Sequence, residues 1–155
     1  MADDEAHDVM FSDPLLLIKG FLFGALLLVT SYHDIRTREI PNRLPLAILG
    51  IGMLQISLIP AIAGLVIAGL PYLLAAIITK GKIGGGDIKL MAASGFVLGP
   101  AGGLLQSVLG LSLVLFFAAG LAVQGGMVKA AKTPLPLAPF LSAGGLAAFW
   151  LLYFC

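Results

Sequence analysis

The chain has 155 residues, 59% of them hydrophobic and 11% charged, with a formal net charge of +1. A water-facing domain carries about a quarter of its residues as charged ones, so this chain is expected to sit in lipid as one compact membrane domain. The near-zero charge excludes a broad nucleic-acid surface, and the single cysteine, Cys155, excludes a disulfide framework, a CxxC zinc site and a haem attachment site.

Residues 1–13 hold Asp3, Asp4, Glu5, Asp8 and Asp13, a polar tail expected to be disordered. Residues 14–155 read as a single all-α, six-helix membrane domain. Its apolar segments fall at 14–33, 44–59, 61–79, 87–99, 102–124 and 137–155. The first is not a cleavable signal peptide, because its apolar run is too long and no basic region precedes it. A spanning helix needs about 17–20 residues, so the second segment is slightly short and the fourth clearly so. Ile59-Pro60 alone separates segments two and three, which predicts a tight hairpin. The pairs Gly20/Gly24 and Gly95/Gly99 have the spacing that permits close helix packing.

Positive charge predicts the orientation. Arg36, Arg38 and Arg43, then Lys80, Lys82 and Lys89, then Lys129 and Lys132 occupy alternate connections of a six-span chain. The positive-inside rule makes that side cytoplasmic, with both termini outside. Trp150 and Tyr153 then fit an outer aromatic belt.

Only three acids, Asp34, Glu39 and Asp87, follow the tail, and ionisable residues in a membrane body are functional candidates. The only histidine outside the tail, His33, adjoins Asp34, but neighbours on a helix point about 100° apart, and it is given no catalytic role. Each acid also has an ordinary reading. Glu39 reads as a solvated partner of nearby arginines, Asp87 as a helix N-cap, and Asp34 as a polar residue at the lipid boundary. With that topology, however, Asp34 and Asp87 occupy equivalent cytoplasmic positions. Two carboxyls held near one another can share a proton, one activating water while the other protonates a peptide carbonyl. The glycines of Lys80-Gly81-Lys82-Ile83-Gly84-Gly85-Gly86-Asp87 would let an extended substrate backbone approach. Two non-protease readings remain at this point: a small transporter or channel using Asp34 and Asp87 as a cation or proton site, and a scaffold in which both are caps.

Gly84-Gly85-Gly86-Asp87-Ile88-Lys89-Leu90 resembles the GxGD signature of membrane aspartic proteases in its longer type IV prepilin peptidase form. Asp34, followed by Ile40-Pro41-Asn42, resembles the same family's first-aspartate motif, and Pro134-Leu135-Pro136-Leu137-Ala138-Pro139 its proline-rich entry to the last helix. The resemblance runs from about residue 20 to the end. It implies a multi-pass enzyme of the cytoplasmic (inner) membrane that removes short basic leaders from prepilin or pseudopilin-like precursors in type IV pilus and secretion systems, with Asp34 and Asp87 catalytic. Presenilin-type GxGD proteases, which pair the motif with Tyr-Asp, fit less well, since Tyr32-His33-Asp34 lacks that dipeptide. Longer family members carry paired cysteines in a region associated with methylation. Their absence here predicts a peptidase-only form, as in tight-adherence or preflagellin systems, with no cofactor: neither zinc nor S-adenosylmethionine. Gly84, Gly86, Lys89 and Asn42 are the supporting candidates. Lys89 either tunes Asp87 or snorkels; Asn42 either binds substrate backbone or ends a turn.

Overall fold

The computed structural model describes residues 14–54, 57–80, 83–125 and 135–154. The acidic tail, Lys82, Lys129, Lys132, Pro134 and Cys155 lie outside them. The described chain is all-helical: α1 (Pro14–Thr37), α2 (Arg43–Gly52), α3 (Leu58–Ile78), α4 (Gly85–Gly125) and α5 (Ala138–Phe154). Pro14–Thr37, Leu58–Ile78 and Gly85–Val123 are long and apolar enough to cross a membrane, whereas α2 and α5 are apolar but shorter. Large side chains such as Phe21, Ile59, Ile78 and Phe116 stand 77–84% exposed on the outside of the bundle. In water such a surface would aggregate; in lipid it is the solvated face.

Two helix boundaries differ from the sequence expectation. The second helix stops at Gly52 and does not continue to 59, and Pro60 lies in the first turn of α3, not between helices. Proline is at home in a first turn, where an amide has no intrahelical partner to lose. Gly50 and Gly52 weaken the end of α2, since glycine is the poorest helix former after proline.

The long α4 does not run straight. Gly99 has φ 75° and ψ −179°, outside helical space, and Pro100 follows it. The chain folds back there, for a Cβ placed on Gly103 would lie 3.2 Å from the Cα of Gly95. In an unbroken helix residues eight apart are separated by about 12 Å. α4 therefore supplies two arms, residues 85–98 and 100–125, on either side of the bend.

The helices meet through small residues. A Cβ on Gly64 would fall 2.0 Å from the Gly95 carbonyl oxygen, and one on Gly95 would fall 2.2 Å from that of Gly64. Ala68 packs on both Gly95 and Gly103. Lipid tails compete equally for apolar side chains, so close backbone approach and packing hold such helices together. Gly20 and Gly24 likewise receive Phe149 and Leu146 of α5. Gly99, by contrast, serves as the bend and meets nothing within 4 Å. Buried hydrogen bonds lock α5 in place: Ser142 Oγ donates to the Leu27 carbonyl at 3.1 Å, and Gln106 Nε2 to the Leu141 carbonyl at 3.0 Å.

Candidate active site

One end of the bundle gathers the C-terminus of α1, the loop into α2, and the N-termini of α4 and α5. Asp34 lies in the last helical turns of α1 and is buried. Its Oδ2 accepts a hydrogen bond from the backbone N–H of Ala138, the first residue of α5, at 3.0 Å. A helix N-terminus offers unpaired amides and positive potential, a natural seat for a carboxylate. The prolines around Ala138 now have a local purpose. Pro136 and Pro139 restrict the backbone where α5 starts, and the Ala138 amide is left directed at Asp34.

Asp87 stands in the first turn of α4 and is equally buried. Its Oδ1 has no hydrogen-bond partner among the described residues, which is costly for a buried polar atom unless the site has a use for it. The two carboxyls interact electrostatically. Behind Asp87, the Tyr72 hydroxyl of α3 is also buried without a hydrogen-bond partner and feels the Asp87 charge, with Ser107 of the second α4 arm beside it. Tyr72 escapes a sequence reading because it sits in an unbroken apolar run, Gly69-Leu70-Pro71-Tyr72-Leu73-Leu74. Only its level against Asp87 across α3 and α4 singles it out.

An open cleft of about 300 Å³ joins the two acids. Asp34, Arg38, Glu39, Ile40 and Asn42 line it from the α1–α2 side, and Gly84–Asp87 with Lys89 from α4. Lys89 Nζ donates to Asn42 Oδ1 at 2.7 Å, tying the two motifs together. Asn42 holds the N-cap position of α2, yet its side chain makes no cap hydrogen bond there. Its acceptor is diverted from stabilising its own helix to holding Lys89. His33 is turned elsewhere, its Nδ1 bonded to the Val29 carbonyl one turn back.

The three glycines do different things. A Cβ on Gly86 would lie 2.7 Å from the Cβ of Ile40, so this glycine is filled from within the protein and seats the α1–α2 loop against α4. A Cβ on Gly84 would come 3.3 Å from Asp87 Oδ2, while Gly85 has nothing within 4 Å. Only Gly84 and Gly85 leave room beside the carboxylate. Arg38 adds a strained element: its φ is 55°, and its amide bonds the Asp34 carbonyl at 2.9 Å. That left-handed cap is the usual place of glycine, and here an arginine holds it at the rim of the cleft.

Comparison with known proteins gives the chain a family. The profile of the type IV leader peptidase family matches residues 21–123, a span that includes both aspartates. Over 152 residues the chain is 34% identical to the prepilin leader peptidase/N-methyltransferase of Bacillus subtilis (strain 168), covering 93% of this chain and 60% of that relative. The chain thus spans about 60% of the length of the curated relative it matches. No solved structure matches it. A multi-pass helical protein with paired aspartate motifs and this similarity belongs to the type IV leader peptidase family.

Proposed function

We propose that the protein is a membrane aspartic endopeptidase that removes the short basic leader from prepilin or pseudopilin-like precursors at the cytoplasmic face of the inner membrane. The observation that carries the reading is the meeting of two buried carboxyls, Asp34 and Asp87, from motifs far apart in sequence, on one cleft in a chain of this family. A cation pathway would favour acids near mid-membrane; these lie at one end of the bundle, and the family is one of peptidases.

Hydrolysis starts with one carboxyl ionised and the other protonated. The carboxylate takes a proton from water as the resulting hydroxide attacks the scissile carbonyl carbon. The carboxylic acid gives its proton to the carbonyl oxygen, forming a neutral gem-diol. Collapse returns the proton of one diol hydroxyl to the carboxyl that is now ionised, while the carboxyl that took the water proton gives it to the amide nitrogen, which leaves as the amine. No metal or thiol is required. The Ala138 amide holds Asp34, and the buried Tyr72 hydroxyl lies within electrostatic reach of Asp87. Gly84 and Gly85 leave the approach open for an extended substrate. The bundle would cross the membrane six times, with part-length crossings by α2 and the first arm of α4, and with Arg36, Arg38, Arg43, Lys80 and Lys89 at the cytoplasmic end.

The test is leader removal from a prepilin-like substrate by the reconstituted chain, read by intact mass. Asp34→Asn and Asp87→Asn should each lower kcat by about 10²–10⁴-fold, the usual contribution of a positioned acid or base, with helix content unchanged. Full activity in either variant would remove that aspartate from the chemistry.

A further inference from the structure

The opposite end of the bundle holds a second polar site. Lys19 is the only cation there among the described residues. It sits 15 positions before Asp34 on α1, or about 22 Å away at 1.5 Å per residue. The side chain is 5% exposed, and no hydrogen bond or ion pair holds it among the described residues. Every described acid (Asp34, Glu39, Asp87) is at the far cleft, so none neutralises it. A buried charge without a partner is expensive in a membrane bundle.

Lys19 lines a cavity of about 190 Å³, with Ser57, Gly99 and Tyr153 on its other walls. Two further donors face this space. Ser57 is the N-cap residue of α3, but its side chain makes no cap bond. The Tyr153 hydroxyl is likewise without a hydrogen-bond partner among the described residues. The positive end of the 21-residue α3 borders the same cavity through Ser57, Pro60 and Ala61, although Pro60 brings no amide and the Ala61 amide bonds the Ser57 carbonyl. The first α4 arm also ends on this cavity at the Gly99 bend, and its last carbonyls can accept from the lysine ammonium. What an oxyanion adds is a negative charge that accepts from the ammonium and both hydroxyls at one point.

Lys19 is five residues into α1, about 8 Å from its start, and the ring of Trp150, 58% exposed, lies on the same half of the bundle. Such rings mark the headgroup level of a bilayer, where phosphate is the common anion. We infer that Lys19, Ser57 and Tyr153 form a binding site for a phosphate-type oxyanion, carried by a phospholipid headgroup or free in solution. This site is independent of the peptidase reading.

The experiment uses the full chain, delipidated in detergent. Native mass spectrometry would follow titration with phosphatidylglycerol and with diacylglycerol, which lacks the phosphate; melting temperature would be measured against inorganic phosphate. Phosphatidylglycerol should bind and diacylglycerol should not, with Lys19→Met weakening the lipid at least tenfold and Ser57→Ala or Tyr153→Phe severalfold. A rise in melting temperature with inorganic phosphate, lost in Lys19→Met, would identify the free ion as sufficient; lipid binding without that rise would identify the headgroup. Equal binding by wild type and Lys19→Met, or no binding of either phosphate source to wild type, would overturn the site. Should Lys19→Met not fold, the Ser57→Ala/Tyr153→Phe double variant carries the same comparison, because it removes two hydroxyls and little packing.

Discussion

At the residue scale, neighbouring glycines in one motif should respond differently to the same methyl group. Gly86→Ala drives a Cβ to 2.7 Å from that of Ile40, an overpacking that should cost about 1–3 kcal/mol and lower the thermal midpoint in detergent. Gly85→Ala meets nothing and should leave stability within about 1 kcal/mol, yet raise KM if substrate passes over it. Thermal unfolding beside leader-removal kinetics separates the two effects. Tyr72→Phe removes a buried hydroxyl that has no hydrogen-bond partner, so the fold should be unharmed or slightly firmer. If that hydroxyl orients Asp87, kcat falls and KM does not; an unchanged kcat would leave Tyr72 a packing residue. Both aspartates could be picked out from sequence because their motifs carry them. The Ala138 amide could not: a backbone donor 104 residues from Asp34 leaves no trace in residue identity. Nor could the division of labour among Gly84, Gly85 and Gly86, since it depends on where Ile40 lands.

At the scale of elements, the bend in α4 is the feature most exposed to test. Gly99 at φ 75° and ψ −179° occupies backbone space nearly reserved for glycine. Gly99→Ala should therefore destabilise the bundle by about 1–3 kcal/mol, although the new methyl meets no atom within 4 Å. Denaturant unfolding in mixed micelles would read the loss; an unchanged midpoint would mean that the bend relaxes without strain. Hydropathy located both arms, as segments 87–99 and 102–124, because Gly99-Pro100 interrupts the apolar pattern between them. It misjudged α2, because a proline inside a first turn looks, in sequence, just like one between helices. Asn42 shows a similar limit. The sequence offers it as a substrate contact or the end of a turn, and shows neither its N-cap position nor its bond to Lys89, a residue 47 positions away.

At the scale of the molecule, the proposed orientation can be tested with single cysteines in a Cys155→Ser background. Glu39→Cys should react with a membrane-impermeant thiol reagent only when the cytoplasmic face is opened, and Ser57→Cys from the outside of intact cells. The reverse pattern would turn the molecule over and put the cleft on the wrong side for a cytoplasmic leader. The clasp of Gly64, Ala68, Gly95 and Gly103 has a consequence of its own. At Gly64 and Gly95, where backbones rest directly on one another, no rotamer can adjust and no smaller residue exists to substitute. Drift at these positions is closed in both directions, whereas the lipid-facing Leu, Ile and Phe around them can interchange freely. A library of all single substitutions, selected for pilin maturation, should then yield two intolerant islands. One would be the acidic cleft. The other would lie deep in the bundle, made of residues that touch neither substrate nor solvent, and a ranking of positions by tolerance alone would mistake it for a second active site.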